Sequence, residues 1–147
     1  MVSQALFRAC SRIVVATYGR FPLFGELRSS IAVLRRGERY LLQQRADGLG
    51  WAFPGGMSWF WETEEQTLRR EVKEETGLEI TRLRREFVYH DRHYLPSRIA
   101  VFACEASGEP RGSWEGEPRW MPLPPREAFF AAQLSILDRV RDMRFPL

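Results

Sequence analysis

Three glutamates, Glu71, Glu74 and Glu75, stand at i, i+3 and i+4 in a stretch, 64–76, that holds neither glycine nor proline. On a helix, each residue turns about 100°, so the three carboxylates share one face. Like charges at that spacing repel by roughly 0.2–0.5 kcal/mol per pair in water. A divalent cation seated among them would put the repulsion to use. Hard oxygen donors with no cysteine or histidine close in sequence favour Mg²⁺ or Mn²⁺ over Zn²⁺. A solvated charged face, with Arg70 bridging to Glu74, is the other reading of the helix alone. The upstream residues weigh against it: Gly56, five residues, Glu62, seven residues, then Arg70-Glu71. A glycine loop lets the backbone approach a metal or a phosphate closely.

This pattern resembles the box of the Nudix (MutT-like) hydrolases, G-x5-E-x7-R-E-U-x-E-E-x-G-U, with U a bulky apolar residue. Gly56, Glu62, Arg70, Glu71, Val72, Glu74, Glu75, Gly77 and Leu78 fill all nine specified positions. At average residue usage a chance match is on the order of 10⁻⁸. The resemblance implies an α/β/α sandwich around a mixed sheet, an α+β arrangement. It also implies a Mg²⁺-dependent attack of water on a phosphorus of a nucleoside diphosphate linked to another group. By position, Glu71, Glu74 and Glu75 would be metal ligands, with the Gly56 carbonyl a further one. Glu62 would sit beside the metal shell and pair with Arg70, tying loop to helix. Members of the family often carry Glu at the position of Trp59 and Gly at that of Trp61, neither of which belongs to the nine.

Other side chains are candidates for substrate contact or proton transfer. Arg45 ends a strand near the glycine loop, where it would meet a phosphate or remain a surface arginine. Trp59, Phe60 and Trp61 are three consecutive aromatics that cannot all face one core, so at least one points to solvent, ligand or a partner; Trp59 is taken as a base-stacking residue. Tyr94 follows the box by 16 residues, where the family places a tyrosine in enzymes acting on dinucleoside polyphosphates. Trp51 and Trp120 read as core, and His90 and His93 as polar surface residues. A base must take a proton from the attacking water. The loop before the Trp120 strand offers Glu115 and Glu117, and Glu105 ends a strand. Glu115 precedes Gly116, which lets the chain turn sharply, and is the choice.

Those residues need a scaffold. Ile31–Arg36 and Tyr40–Arg45 read as strands joined by Gly37-Glu38, a hairpin signal. Trp51–Phe53 is a short strand stopped by Pro54-Gly55-Gly56. Thr63 caps the glutamate helix, Gln66 completes a capping box, and Gly77 ends it. Strands follow around Ile80–Asp91, Ser97–Glu105 and Arg119–Met121. The second is apolar on both faces, as a covered central strand is. Pro125 opens a second helix with Phe129, Phe130, Leu134, Leu137 and Val140 on one stripe. Strands, helix, strands, helix in one domain, 28–147, predict a mixed sheet between helices. Residues 1–27 form an N-terminal extension in which Val2, Leu6, Cys10, Ile13, Val14 and Thr17 predict an amphipathic helix, docked on its own domain rather than on a membrane surface.

Composition limits the rest. At 147 residues and 44% hydrophobic, the chain supports one core without staples. No run of about 18 apolar residues predicts a membrane span. Two cysteines, Cys10 and Cys104, exclude a disulfide framework and a cysteine-rich zinc site, and with no signal-peptide pattern the expected compartment is the cytoplasm. Of the 22 basic side chains all but Lys73 are arginine, and the formal net charge is +3. Arginine suits phosphate, but these are scattered, so a nucleotide-type small molecule is the expected substrate. Nucleic acid, in the form of an RNA 5′ end losing pyrophosphate, stays open, as do a homodimer and a nucleotide-sensing module without turnover.

Overall fold

A computed structural model describes residues 13, 16–18, 25–92, 94–113 and 115–147. Its elements are β1 (Leu27–Arg36), β2 (Arg39–Gln44), β3 (Trp51–Ala52), β4 (Gly55–Met57), α1 (Glu64–Thr76), β5 (Glu79–Asp91), β6 (Ser97–Ser107), β7 (Pro118–Met121) and a short α2 (Leu134–Arg139). Ile13 and residues 16–18 are helical; the remainder of the expected N-terminal helix, like His93 and Trp114, lies outside the described residues.

The seven strands form one mixed sheet. The first part of β1 runs between β6, which is parallel to it, and β4, which is antiparallel. Its far end turns through Gly37-Glu38 into β2, and β2 is flanked by β3 and β7. β5 pairs along β6 at the outer edge. Side chains alternate across a strand, and here the alternation sorts residues into two cores. Ala32, Leu34, Leu41, Ala100, Phe102 and Cys104 face α1 and enclose Leu68 and Val72. Ile31, Val33, Leu42, Ile99 and Val101 face the other way, onto Phe129, Ile136, Val140 and Met143. Both faces are covered, which explains why β1 and β6 read as unbroken apolar runs.

The capping box of α1 is complete: Thr63 Oγ1 accepts from the Gln66 N–H, and the Gln66 side chain accepts from the Thr63 N–H. Gly77 closes the helix in the left-handed conformation, its N–H on the Lys73 carbonyl.

Two elements differ from expectation. The glycine loop does not simply stop β3, because residues 55–57 form β4 against β1. The stripe from Pro125 is not one helix. It breaks into single turns at Arg126–Ala128 and Ala131–Gln133 before α2, and a last turn, Val140–Asp142, follows it. The cause is long-range. Phe129 is extended and bridges Trp51, and the Phe130 N–H donates to the Trp51 carbonyl. The buried Gln133 side chain then bonds both N–H and C=O of Phe53. Pairing to β3 takes the Phe130 N–H out of the helix, while the Phe129 and Gln133 N–H groups keep only single-turn bonds to the Arg126 and Phe130 carbonyls.

Candidate active site

The site lies where β4, the loop after it and α1 meet the end of β2. Arg70, from the middle of α1, organises it. Its Nε and Nη2 donate to the two oxygens of Glu62 at 2.7 and 2.9 Å, a bidentate fork. Nη2 also donates to the Met57 carbonyl at 3.0 Å. Nη1 reaches Glu71 at 2.7 Å and Glu74 at 3.3 Å. One guanidinium thus joins the loop, the box glutamate and two helix carboxylates. Glu62 accepts further bonds from the Trp59 N–H and the Thr67 hydroxyl. Led by the Arg70 bonds, these hold its carboxyl down to about 2, and the Arg70 guanidinium is correspondingly raised.

The other carboxylates behave in the opposite way. Glu75 is 4% exposed and accepts from the Gly55 N–H at 2.8 Å. Burial pushes its carboxyl well above the ordinary glutamate value; the negative charges of Glu115 and Glu71 and a hydrogen bond with Glu115 add to the rise. Glu71 is raised by burial as well, with Arg70 opposing and Glu115 and Glu74 reinforcing. Gly56 has a steric reason to be glycine. A Cβ there would lie 2.6 Å from the Glu71 carboxyl carbon, so only a bare backbone lets that carboxylate rest on the loop.

Glu115 reaches this group because its loop is stitched to β2. The Ala46 N–H donates to the Glu115 carbonyl at 3.1 Å. A Cβ on Gly116 would come within 2.4 Å of the Gln44 carbonyl, at a φ of +156°. Glu115 and Glu75 line a cleft of about 60 Å³ with Gln43, Arg45, Ala46 and Asp47. Arg45 is clamped by Asp47 through Nε and Nη2 and lies 4.0 Å over the Phe130 ring. Tyr94 packs edge-on against the same ring at 5.0 Å. Burial opposes ionisation of Asp47, but the bonds and charge of Arg45 still leave it below its ordinary value.

The structure therefore brings Gly56, Glu62, Arg70, Glu71, Glu74 and Glu75 into one network. It sets Glu115 against Glu75 and lines the same cleft with Arg45, which has the Tyr94 ring beside it. Trp59 stands apart from that cleft: 55% exposed, it stacks on Trp61 with ring planes 3° apart, and Phe60 is 88% exposed. Glu117 is an outlying acid beside Arg119, and Glu105 accepts from the Leu147 N–H. Two polar side chains of the cleft, Gln43 and Asp47, escaped the sequence reading, as did Phe130 under Arg45. Gln43 left a signal, a polar residue in phase with Leu41 on a buried face. Asp47 left another, two residues past Arg45 in an Asp-Gly turn.

Among the described residues no three acids stand ready at cation-holding spacing, because Arg70 engages Glu71 and Glu74 while Gly55 engages Glu75. The donor set nevertheless suits a hard divalent cation. It is all oxygen, it is crowded with like charge, and the bare Gly56 backbone leaves room against Glu71. Turning Glu71 and Glu74 off Arg70 is the movement that would load it.

The NUDIX domain model matches residues 26–135. This chain belongs to the Nudix hydrolase family. Solved structures agree. A MutT Nudix hydrolase from Burkholderia pseudomallei aligns with TM-score 0.68 at 26% identity, over 78% of this chain and 98% of that one. A Nudix hydrolase family member from Chromobacterium violaceum gives 0.69 at 25%, over 84% and 81%. A bifunctional NMN adenylyltransferase/ADP ribose pyrophosphatase from Francisella tularensis, solved with AMP and a manganese ion, shares the fold at TM-score 0.68 and 19% identity, over 95% of this chain and 48% of that one. No curated protein matches the chain. Nudix enzymes hydrolyse pyrophosphate bonds in nucleoside diphosphate derivatives and generally use divalent metal ions. No helix among the described residues is long and apolar enough to cross a membrane.

Proposed function

We propose that this Nudix hydrolase cleaves the pyrophosphate bond of a nucleoside diphosphate linked to another moiety, with Mg²⁺ as its cofactor and Mn²⁺ as a substitute. The observation that carries the proposal is the setting of Glu115 against Glu75 in one cleft, with Glu71 near enough to raise the Glu75 carboxyl further and itself resting on the bare backbone of Gly56. Glu71, Glu74, Glu75 and the Gly56 carbonyl would hold the cation. When bound, it supplies positive charge to a polyanionic substrate and lowers the pKa of water.

The protein's own residues account for the remaining tasks. Glu115 is the general base. Of the two loop acids in this cleft, Asp47 is committed to Arg45, whereas Glu115 contacts Glu75. Arg70 and Glu62 are positioning residues that fix the loop on the helix. Arg45, held in place by Asp47 and Phe130, faces the same cleft as Glu115 and offers a cation to the substrate phosphates. Tyr94 packs behind Arg45 against Phe130, and Trp59, outside the cleft, offers a stacking surface to a base. The scarcity of cysteine and the burial of Cys104 suit a cytoplasmic enzyme.

The test is product release from a panel of nucleoside diphosphate derivatives in Mg²⁺, with 5′-triphosphate RNA as competitor. Cleavage of small nucleotides with weak RNA competition is expected. Preferential cleavage of the RNA end would replace this substrate class, and binding without turnover would replace the enzyme by a sensor.

A further inference from the structure

We propose that Gln43 reads a neutral hydrogen-bond donor on the substrate, a hydroxyl or N–H group close to the scissile pyrophosphate; this rests on the hydrolase reading above. Strand alternation places Gln43 in phase with Leu41, on the α1 side of β2. It is 5% exposed, and its Oε1 is fully buried with no hydrogen-bond partner. A buried acceptor left unpaired is unfavourable and needs an explanation.

No group of the cleft wall gives that oxygen a hydrogen bond. Glu75 and Glu115 are acids, and Glu75 already takes the Gly55 N–H and shares a hydrogen bond with Glu115. Arg45 spends Nε and Nη2 on Asp47, and its Nη1 makes no bond to Gln43 Oε1. A phosphate oxygen would not serve either, since it too is an acceptor. What completes Gln43 is a group that brings its own hydrogen. Because the amide carries N–H donors at its other end, a hydroxyl that both gives and receives is the best match. At about 60 Å³ the cleft admits one such group but not a purine ring. A site that holds a buried polar group for a substrate donor rejects an analogue lacking it far more strongly than an apolar pocket would. Gln43 is thereby a specificity-determining residue for the part of the substrate that enters beside the acids.

The experiment compares wild type with Gln43→Leu, which keeps the volume and removes the amide. ATP, 2′-deoxy-ATP and ADP-ribose are the probes, in binding titrations and in Mg²⁺-dependent hydrolysis. Thermal unfolding is measured on the same metal-free proteins. The expected result is an unfolding temperature equal to or above wild type, because an unpaired acceptor has been removed. It is joined by a loss of about tenfold or more in affinity or kcat/KM for the probe that wild type handles best. A loss for ATP that is absent for 2′-deoxy-ATP assigns the donor to the 2′-hydroxyl; an equal loss assigns it elsewhere on the nucleotide. Unchanged affinity and kcat/KM would overturn the inference. So would a fall of several degrees in unfolding temperature, which would show that the amide is bonded within the fold. Wild type that binds but does not cleave, with binding weakened in Gln43→Leu, would leave Gln43 standing and remove the hydrolase reading. Cleavage by both proteins alike would do the reverse, and no binding by wild type would count against both.

Discussion

Replacing Arg70 by alanine removes the centre of the site's ionic network, and its effect follows from the contacts. The guanidinium makes two bonds to Glu62, one each to Glu71 and Glu74, and one to the Met57 carbonyl. Breaking a buried pair by removing one partner costs roughly 3–5 kcal/mol. Here the figure falls below that range, because the pair is only partly buried. Arg70 keeps 24% of its side chain exposed, and Glu62 retains the Trp59 and Thr67 donors. About 2–3 kcal/mol is expected, which at roughly 2–4 °C per kcal/mol is a drop in Tm on the order of 5–10 °C. Arg70→Lys keeps the charge but not the fork and recovers only part of it. A second consequence separates the two ends of the network. Without Arg70, Glu71 and Glu74 lose their counter-charge only while no cation is bound, so the Tm deficit shrinks in saturating Mg²⁺. The assay is calorimetric unfolding of wild type, Arg70→Ala, Arg70→Lys, Glu62→Gln and the Arg70→Ala/Glu62→Gln double variant, with and without Mg²⁺. A coupling energy of about 1 kcal/mol or more between positions 62 and 70 is predicted. Additive single effects, or an Arg70→Ala protein that melts with wild type, would refute the argument.

The remaining predictions concern the same elements. Gly56→Ala sets a methyl 2.6 Å from the Glu71 carboxyl group, so turnover falls at least tenfold while α1 remains folded by circular dichroism. For pH, the signs oppose one another. Glu62, held down to about 2, stabilises the fold above the ordinary glutamate value of 4.5, and that contribution is lost as pH falls toward 2. Glu75, raised by burial, gives stability that is present below 4.5 and is lost as pH rises through its elevated pKa in the metal-free protein. Unfolding measured from pH 2 to 8 should show a shallower acid limb in Glu62→Gln, where Asp47 and Glu64 still contribute, and a shallower alkaline decline in Glu75→Gln, where Glu71 still contributes; profiles identical to wild type would contradict both assignments. Glu115→Gln should lower kcat by about 10²-fold or more with little change in KM and abolish the acidic limb of the rate profile, the signature of a lost base. If rate and limb both persist, the base is one of the α1 carboxylates.

How much of this was legible in the sequence depended on the range of the interaction. Helix α1 was readable because its signals are local: Thr63 and Gln66 reciprocate within one turn, Gly77 closes the last, and Leu68 and Val72 lie one turn apart. The spacing of Glu71, Glu74 and Glu75 followed from the same geometry. The turn at Gly37-Glu38 and the doubly apolar β6 were equally local. Strand β4 was hidden because Gly55 and Gly56 read as a stop, and only their pairing with β1 makes them a strand. The stripe from Phe129 to Val140 misled for the same reason. Its spacing suits a helix, but the Trp51 edge competes for the Phe130 N–H and wins. Gln43 was overlooked among apolar neighbours, where a polar side chain on a buried face was itself the clue. The contact of Glu115 with Glu75 spans 40 residues of chain and depends on the fit of Gly116 over β2, which no local pattern encodes.

The central claim is that the α1 carboxylates gather a divalent cation for pyrophosphate hydrolysis, and its most direct test is a Mg²⁺ titration of turnover in wild type and Glu75→Gln on the same cleaved nucleotide. Wild type should rise from no activity to a plateau as Mg²⁺ is added. Glu75→Gln, which keeps an oxygen to accept from the Gly55 N–H and should therefore stay folded, should reach a plateau lower by about 10²-fold or more even at saturating Mg²⁺. A wild-type plateau in Glu75→Gln, or turnover by wild type that does not respond to Mg²⁺, would contradict the account.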